Sequence, residues 1–294
     1  MVANISELVR KKPYVLLFLL LFALVFAILF VVRSSTEPNR LLASENRTAE
    51  ANKPAPDAND KTGQDSKDKE IPRPDHSHPA FKQRQGDREK MVARQIESRG
   101  VSDPNVLLSL RTVPRHEFVR SGDYFRAYWD SPIPIGLGQT ISQPYIVGYM
   151  TEALKLDPHS RVFEVGTGSG YQAAVCAEIA REVYTIEIIE ALAESAKKRL
   201  KELGYGNVFV KAGDGYYGWE EKAPFDAIIV TAAAGVVPPP LIRQLKPGGV
   251  MILPLGSPFG HQTLVLITKD DKGKVRSKSL LPVRFVPMVG RVSE

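Results

Sequence analysis

Apolar residues follow three different patterns along the chain. From Tyr14 to Val32 they are continuous: nineteen residues without a charge, almost all Leu, Phe, Val, Ile and Ala. As a helix rising about 1.5 Å per residue, this run spans roughly 30 Å, the thickness of a bilayer's hydrocarbon core. A cleaved signal peptide has a shorter apolar core of about 7–15 residues followed by a small-residue cleavage site. Here the run ends Val31-Val32-Arg33-Ser34-Ser35, and residues 1–33 are read as an uncleaved transmembrane anchor. Residues 34–85 lose apolar periodicity and are dense in Pro, Asp, Asn, Lys, Glu and Ser. Such a segment buries too little surface to offset its ordering entropy and is read as a disordered polar linker. His76 and His78 in DHSHP have no partner ligands nearby and read as a solvated pair rather than half a metal site.

In residues 86–294 short apolar runs alternate with helical periodicity. A helical pattern opens it at Met91, Val92 and Ile96. Arg161–Gly166, Glu182–Ile188, Asn207–Lys211, Phe225–Thr231, Gly249–Leu255 and Thr263–Thr268 read as strands. Ser169–Ala180, Glu190 to about Leu203 and Pro238–Leu245 read as helices, the last with prolines in its first turn and a stop at Pro247-Gly248-Gly249. This alternation predicts a mostly parallel sheet with helices on both faces. Ligands of such sheets bind beyond the carboxyl ends of the strands, which directs attention to Gly166–Gly170, Glu187, Asp214 and the loop after Thr231.

Composition narrows the partners. The net charge is +6, but the bases are interleaved with acids and form no aromatic-basic stripe, so no nucleic-acid partner is expected. A single cysteine, Cys176, excludes an internal disulfide framework and a cysteine-based zinc site. It lies among Ala173, Ala174, Val175 and Ala177 and reads as a small buried residue. No metal is expected. Arg10, Lys11 and Lys12 before the apolar run favour the N-terminal end inside, against Arg33, Arg40 and Arg47 after it.

The chemistry lies at the strand ends. Gly166-Thr-Gly168-Ser-Gly170 follows the first strand, with Glu164 just ahead. Glycines let the backbone turn tightly and let a ligand approach closely. The dinucleotide spacing G-x-G-x-x-G is absent, since Tyr171 stands where its third glycine would be. Glu187, ending the second strand, is placed to accept hydrogen bonds from both hydroxyls of a ribose. Gly213-Asp214-Gly215 follows the third strand and suits an adenine amino group. Each feature alone has a structural explanation; three at successive strand ends point to a nucleoside-containing cofactor.

From Met91 to Arg291 the sequence resembles the protein-L-isoaspartate O-methyltransferase family. The resemblance rests on VPRHEFV (113–119), YWDSPIPIGLGQTISQPYIVGYM (128–150), VFEVGTGSGYQAAV, VYTIE, KAGDGYYGW, APFDAIIVTAAA, QLKPGGVMILPLG and VRFVPMVG, in that order. Gly138–Pro144 is its most diagnostic stretch. It implies a doubly wound, mostly parallel seven-stranded Rossmann-like α/β sheet with an added N-terminal helical portion. The implied reaction is S-adenosylmethionine-dependent methyl transfer to the α-carboxylate of L-isoaspartyl residues in damaged proteins. Ser142 corresponds to the family's active-site serine, with Thr140, Ile141 and Gln143 as the wall between substrate and methyl donor. Glu164, Gly166, Thr167, Gly168, Gly170, Glu187, Asp214, Gly215 and Gln262 are the implied cofactor-binding positions. The resemblance implies a monomeric catalytic domain, and the cofactor's supply places it on the cytoplasmic side, against the charge rule.

A carboxylate with a pKa of about 4 is already ionised at neutral pH, so the reaction needs no general base. Ser142 then reads as a donor that orients the carboxylate, or as the cap of a helix starting at Gln143-Pro144. Two other readings stay open: a methyltransferase of the same fold with another substrate, and a membrane-tethered binding protein without activity.

Overall fold

The sheet is organised by the two faces of its central strand. Alternate residues of β3 (Arg161–Val165) enter two different cores, Val162 on one face and Phe163 and Val165 on the other. A strand covered on both sides needs apolar residues throughout, so it reads as a run rather than an alternation. The computed structural model describes residues 71–257 and 260–290. The predicted anchor at 14–32 and most of the predicted linker lie outside the described residues. Among the described residues no helix is long and apolar enough to cross a membrane.

Five strands run parallel: β3, β4 (Glu182–Glu187), β5 (Val208–Ala212), β6 (Phe225–Val230) and β7 (Leu245–Gly256). Strands β8 (Gln262–Lys269) and β9 (Val275–Val283) complete a seven-stranded sheet in the order β5-β4-β3-β6-β7-β8-β9, with the last two pairings antiparallel. The order reverses direction at β3, between β4 and β6, which places the crevice beyond the carboxyl end of β3. This is the mostly parallel doubly wound sheet that the sequence implies. The reading located six of its strands; the seventh, β9, is an edge strand whose Val275–Ser279 half is exposed and offers no apolar signal.

Helices α1 (Gln85–Met91) and α2 (Pro104–Thr112), with the π-helical turn Val92–Ile96, form the N-terminal helical portion. Next come the hairpin β1 (Ile133–Gly136) and β2 (Gln139–Ile141), and then α3 (Pro144–Ala153). Leu137 and Gly138 at the hairpin tip both have positive φ (51° and 75°), as a tight two-residue hairpin turn requires. Helix α4 (Tyr171–Ala177) is buried along its whole length. Helix α5 (Glu190–Glu202) buries Leu192, Ala193, Ala196 and Leu200 at helical spacing, and α6 (Pro239–Gln244) carries its prolines in the first turn.

The linker boundary moves. Residues 71–85 were expected to be solvated, yet they pack on the domain. Phe81 is buried against the ring of Tyr205. His76 Nε2 lies 3.0 Å from Glu178 Oε1, and the Asp75 amide donates to the Gly204 carbonyl at 3.0 Å. His78 caps the short helical turn Pro79–Lys82. The two histidines therefore hold structure, His76 while still exposed and His78 while half-buried. One buried aromatic in a polar stretch generates no periodicity, which is why the pattern concealed it.

Candidate active site

The turn after β3 is held from both neighbouring strands. The Gly166 amide donates to the Ile186 carbonyl of β4 at 2.9 Å. From the other side, Thr231 at the end of β6 donates its hydroxyl to the Val165 and Gly166 carbonyls at 3.0 and 2.7 Å. Gly166 has φ of 97°, and a Cβ there would lie 2.5 Å from the Thr231 hydroxyl oxygen, so only glycine fits. Glu187 closes the turn: its carboxylate accepts from the Gly168 amide at 2.8 Å and from the Ile189 amide at 3.0 Å.

Beneath the turn lies a buried polar chain. The hydroxyl oxygens of Thr167 and Thr185 are 2.6 Å apart, and Thr185 Oγ1 is 2.5 Å from Glu164 Oε2. Glu164 has no exposed surface. Burial pushes its pKa up to about 8, against the opposing Thr185 hydrogen bond and with a further push from the Glu187 charge. Glu164 Oε1 is buried without a hydrogen-bond partner. That oxygen is left with its hydrogen-bonding capacity unused on the floor of a pocket.

A pocket opens over these groups. Thr140, Ile141, Ser142, Glu164, Gly166, Thr167, Gly168, Glu187 and Gly215 all line it, together with Tyr171, Gln172, Thr231 and Val286–Val289. A second cavity, of about 430 Å³, is lined by Pro132, Ile146, Gln143 and Pro282–Val286. Thr140, Ser142, Thr231 and Val286 line both, so they form a shared wall. Helix α3 has no side-chain cap, and its cap position is Gln143, so Ser142 does not serve as the cap.

Three positions implied for the cofactor do not line the pocket. Gly170 turns its bare Cα toward α5, where a Cβ would meet Leu200 at 3.1 Å and Ala196 at 3.5 Å; it permits helix packing. Asp214 accepts the Tyr216 amide at 2.9 Å at the cap of a short turn that begins with the pocket residue Gly215. Gln262 is buried, accepts the Phe285 amide at 2.7 Å and donates to the Phe285 carbonyl at 3.2 Å. It therefore pins the segment between β9 and Val286 and does not line the pocket. Sequence reasoning missed the wall at Val286–Val289. The Ala233 amide donates to the Val286 carbonyl, and the Met288 amide to the Ala233 carbonyl, both at 2.8 Å. The signal available was the VRFVPMVG motif, which carried no chemistry of its own.

Cys176 is fully buried, and burial pushes its thiol up to about 12, as suits a packing residue. Among the described residues no group of His, Cys, Asp and Glu is placed to hold a metal ion.

A family model for protein-L-isoaspartate(D-aspartate) O-methyltransferase matches residues 86–293. The chain belongs to this family. The methyltransferase is 61% identical over 188 residues to protein-L-isoaspartate O-methyltransferase 2 of Syntrophobacter fumaroxidans, covering 64% of this chain and 76% of that one. Against the corresponding enzyme 1 of Nitrosospira multiformis it is 57% identical over 205 residues, 69% of this chain and 87% of that one. A solved protein-L-isoaspartate O-methyltransferase superposes with a TM-score of 0.65 at 32% identity, over 70% of this chain and 67% of that one. A putative family member from Plasmodium falciparum, solved in complex with S-adenosyl-L-homocysteine, gives 0.59 at 25% identity over 70% and 97%. The family fold, the S-adenosylmethionine cofactor and the isoaspartyl reaction expected from the sequence stand with this membership.

Proposed function

We propose that the pocket over Glu164 and Glu187 seats S-adenosylmethionine, and that the adjoining cavity admits the isoaspartyl segment of a damaged protein. The observation that carries this reading is the shared wall of Thr140, Ser142, Thr231 and Val286. A donor on one side and an acceptor on the other would meet only there. When bound, S-adenosylmethionine supplies a methyl group made electrophilic by its sulfonium.

Glu187 is placed to receive the ribose hydroxyls. Each of its oxygens accepts one backbone amide and keeps a lone pair for a ligand. The unsatisfied Glu164 oxygen is matched to a donor's ammonium group, whose positive charge would draw the buried carboxyl into its ionised form. Gly166 and Gly168 leave the turn open for close approach.

On the acceptor side, the substrate carboxylate arrives ionised, with a pKa of about 4, and needs no proton removed. The shared wall matches this need: it offers the hydroxyl groups of Thr140 and Ser142 and no acid–base pair. Ser142 donates a hydrogen bond that orients one carboxylate oxygen toward the methyl group. Near-attack separation for such a transfer is about 3–3.5 Å, and water must be excluded because a hydrated carboxylate attacks poorly. Among the described residues Arg284 is the one charged residue lining the second cavity, and its sign attracts a carboxylate. After release the methyl ester cyclises through the neighbouring backbone nitrogen to a succinimide, expelling methanol, and hydrolysis returns some normal aspartate.

We also propose that residues 14–32 anchor the chain in a membrane, with a monomeric catalytic domain on the cytoplasmic side. Nineteen uncharged apolar residues support the anchor, and the donor's supply supports the side. Protease protection in intact cells tests the side: a shielded domain is expected, and cleavage from outside would reverse the orientation. The reaction itself is tested by transfer of a labelled methyl group to an isoaspartyl peptide, with the aspartyl peptide as control. Label on the isoaspartyl peptide alone is expected; label on neither, despite donor binding, would overturn the reading.

A further inference from the structure

Arg115 has no exposed surface, and among the described residues it forms no salt bridge. A cation buried without a counter-charge is costly, and its hydrogen bonds offset only part of that cost. Arg115 makes two hydrogen bonds, to separate segments, and stacks on a ring, while its Nη1 is buried without a hydrogen-bond partner. Nε donates to the Ala127 carbonyl at 2.7 Å, and Nη2 donates to the Ser142 carbonyl at 2.7 Å. The guanidinium carbon lies 4.7 Å from the centroid of the Tyr171 ring. Tyr171 opens α4 directly after the glycine turn and lines the donor pocket. Ser142 lies on the wall between donor and acceptor.

We propose that Arg115 is a positioning residue: it holds the loop bearing Ser142 at a set distance from the glycine turn and so aligns acceptor with donor. The inference rests on the reading of Ser142 as the orienting donor. A planar fork can donate along two directions while stacking on a ring, which a lysine ammonium cannot do. The loop needs such a hold because no side chain caps α3 and β2 ends at Ile141, one residue before Ser142. Acceptor alignment tolerates little slack, since a displacement of about 1 Å can cost on the order of 100-fold in rate.

The test is a double-mutant cycle on the full-length protein with Arg115→Met, Arg115→Lys, Ser142→Ala and the combination of Arg115→Met with Ser142→Ala. Readouts are kcat and KM for an isoaspartyl peptide, Kd for S-adenosylhomocysteine, and the melting temperature. Arg115→Met is expected to lower kcat by roughly 30-fold or more while Kd changes by less than about threefold, and Arg115→Lys to recover only part of the loss. The double variant should be no slower than Ser142→Ala alone within about threefold, because both changes remove one alignment. Losses that multiply would overturn the proposal, as would a folded Arg115→Met enzyme with unchanged kcat, or kcat and donor affinity falling by one factor. If neither Arg115 variant folds, the residue serves folding alone and the proposal fails. If Ser142→Ala by itself leaves turnover intact, the reading of Ser142 fails first and takes this inference with it. If Ser142→Ala is slow and Arg115→Met is not, the inference alone fails.

Discussion

The carboxylate of Glu187 accepts the backbone amide of Gly168 at 2.8 Å, which makes the end of β4 and the glycine turn after β3 a single unit. A side chain expected to meet the ligand also shapes the loop that receives it. Glu187→Gln keeps the side chain's size but turns an NH2 toward one of the two backbone amides and removes the charge, so both roles weaken; hydrogen bonds to a charged acceptor contribute about 1.5–3 kcal/mol. Affinity for S-adenosylhomocysteine should fall roughly 10- to 100-fold by titration calorimetry. An unchanged Kd would place the ribose elsewhere.

Glu164 sets a pH dependence of stability. Its pKa in the folded protein, about 8, exceeds the unfolded value of about 4.3. The folded state thus binds this proton more tightly, and the associated stability is full below the unfolded pKa and lost as pH rises through about 8. Glu164→Gln cannot ionise. Denaturant unfolding of the donor-free protein should show the wild type losing stability relative to the variant between pH 5 and pH 9. A constant difference across that range would show that the carboxyl group is not shielded.

Cys176 should be silent in the native state. It is the chain's one cysteine, fully buried, with its thiol pushed up to about 12, and the thiolate is the reactive form. A disulfide reagent should label one thiol per chain in guanidinium and none in buffer over the same time. Rapid native labelling would mean that α4 opens readily.

Phe81 tests where the domain begins. Truncating a buried phenylalanine removes about 3–5 kcal/mol, so Phe81→Ala should lower the denaturation midpoint sharply. A loss under about 1 kcal/mol would return residues 71–85 to the linker.

What could be read from the sequence was what is local. Strands β3, β4 and β6 are covered on both faces and announce themselves as apolar runs, and the ligand-facing turn follows at their ends. Glu164 and Glu187 were visible as acids at those ends, but their difference in environment was not. One is shut away beneath two threonines, while the other is satisfied by backbone amides. Gly170 and Gln262 looked like ligand positions because they sit in or near the right motifs. Their actual contacts, with α5 and with Phe285, depend on how distant segments return to the sheet. The same reason hid Arg115, which meets Ser142 across 27 residues of sequence.

The antiparallel return of β8 and β9 has a consequence for biosynthesis. It carries Val286–Val289 back to the pocket that Ser142 also lines. A nascent chain can lay down β3, the glycine turn and both glutamates and still lack a closed pocket. With the donor seated as proposed, competence for it is acquired only with β9 and the segment that follows it, so an incompletely synthesised copy would neither sequester donor nor modify its neighbours.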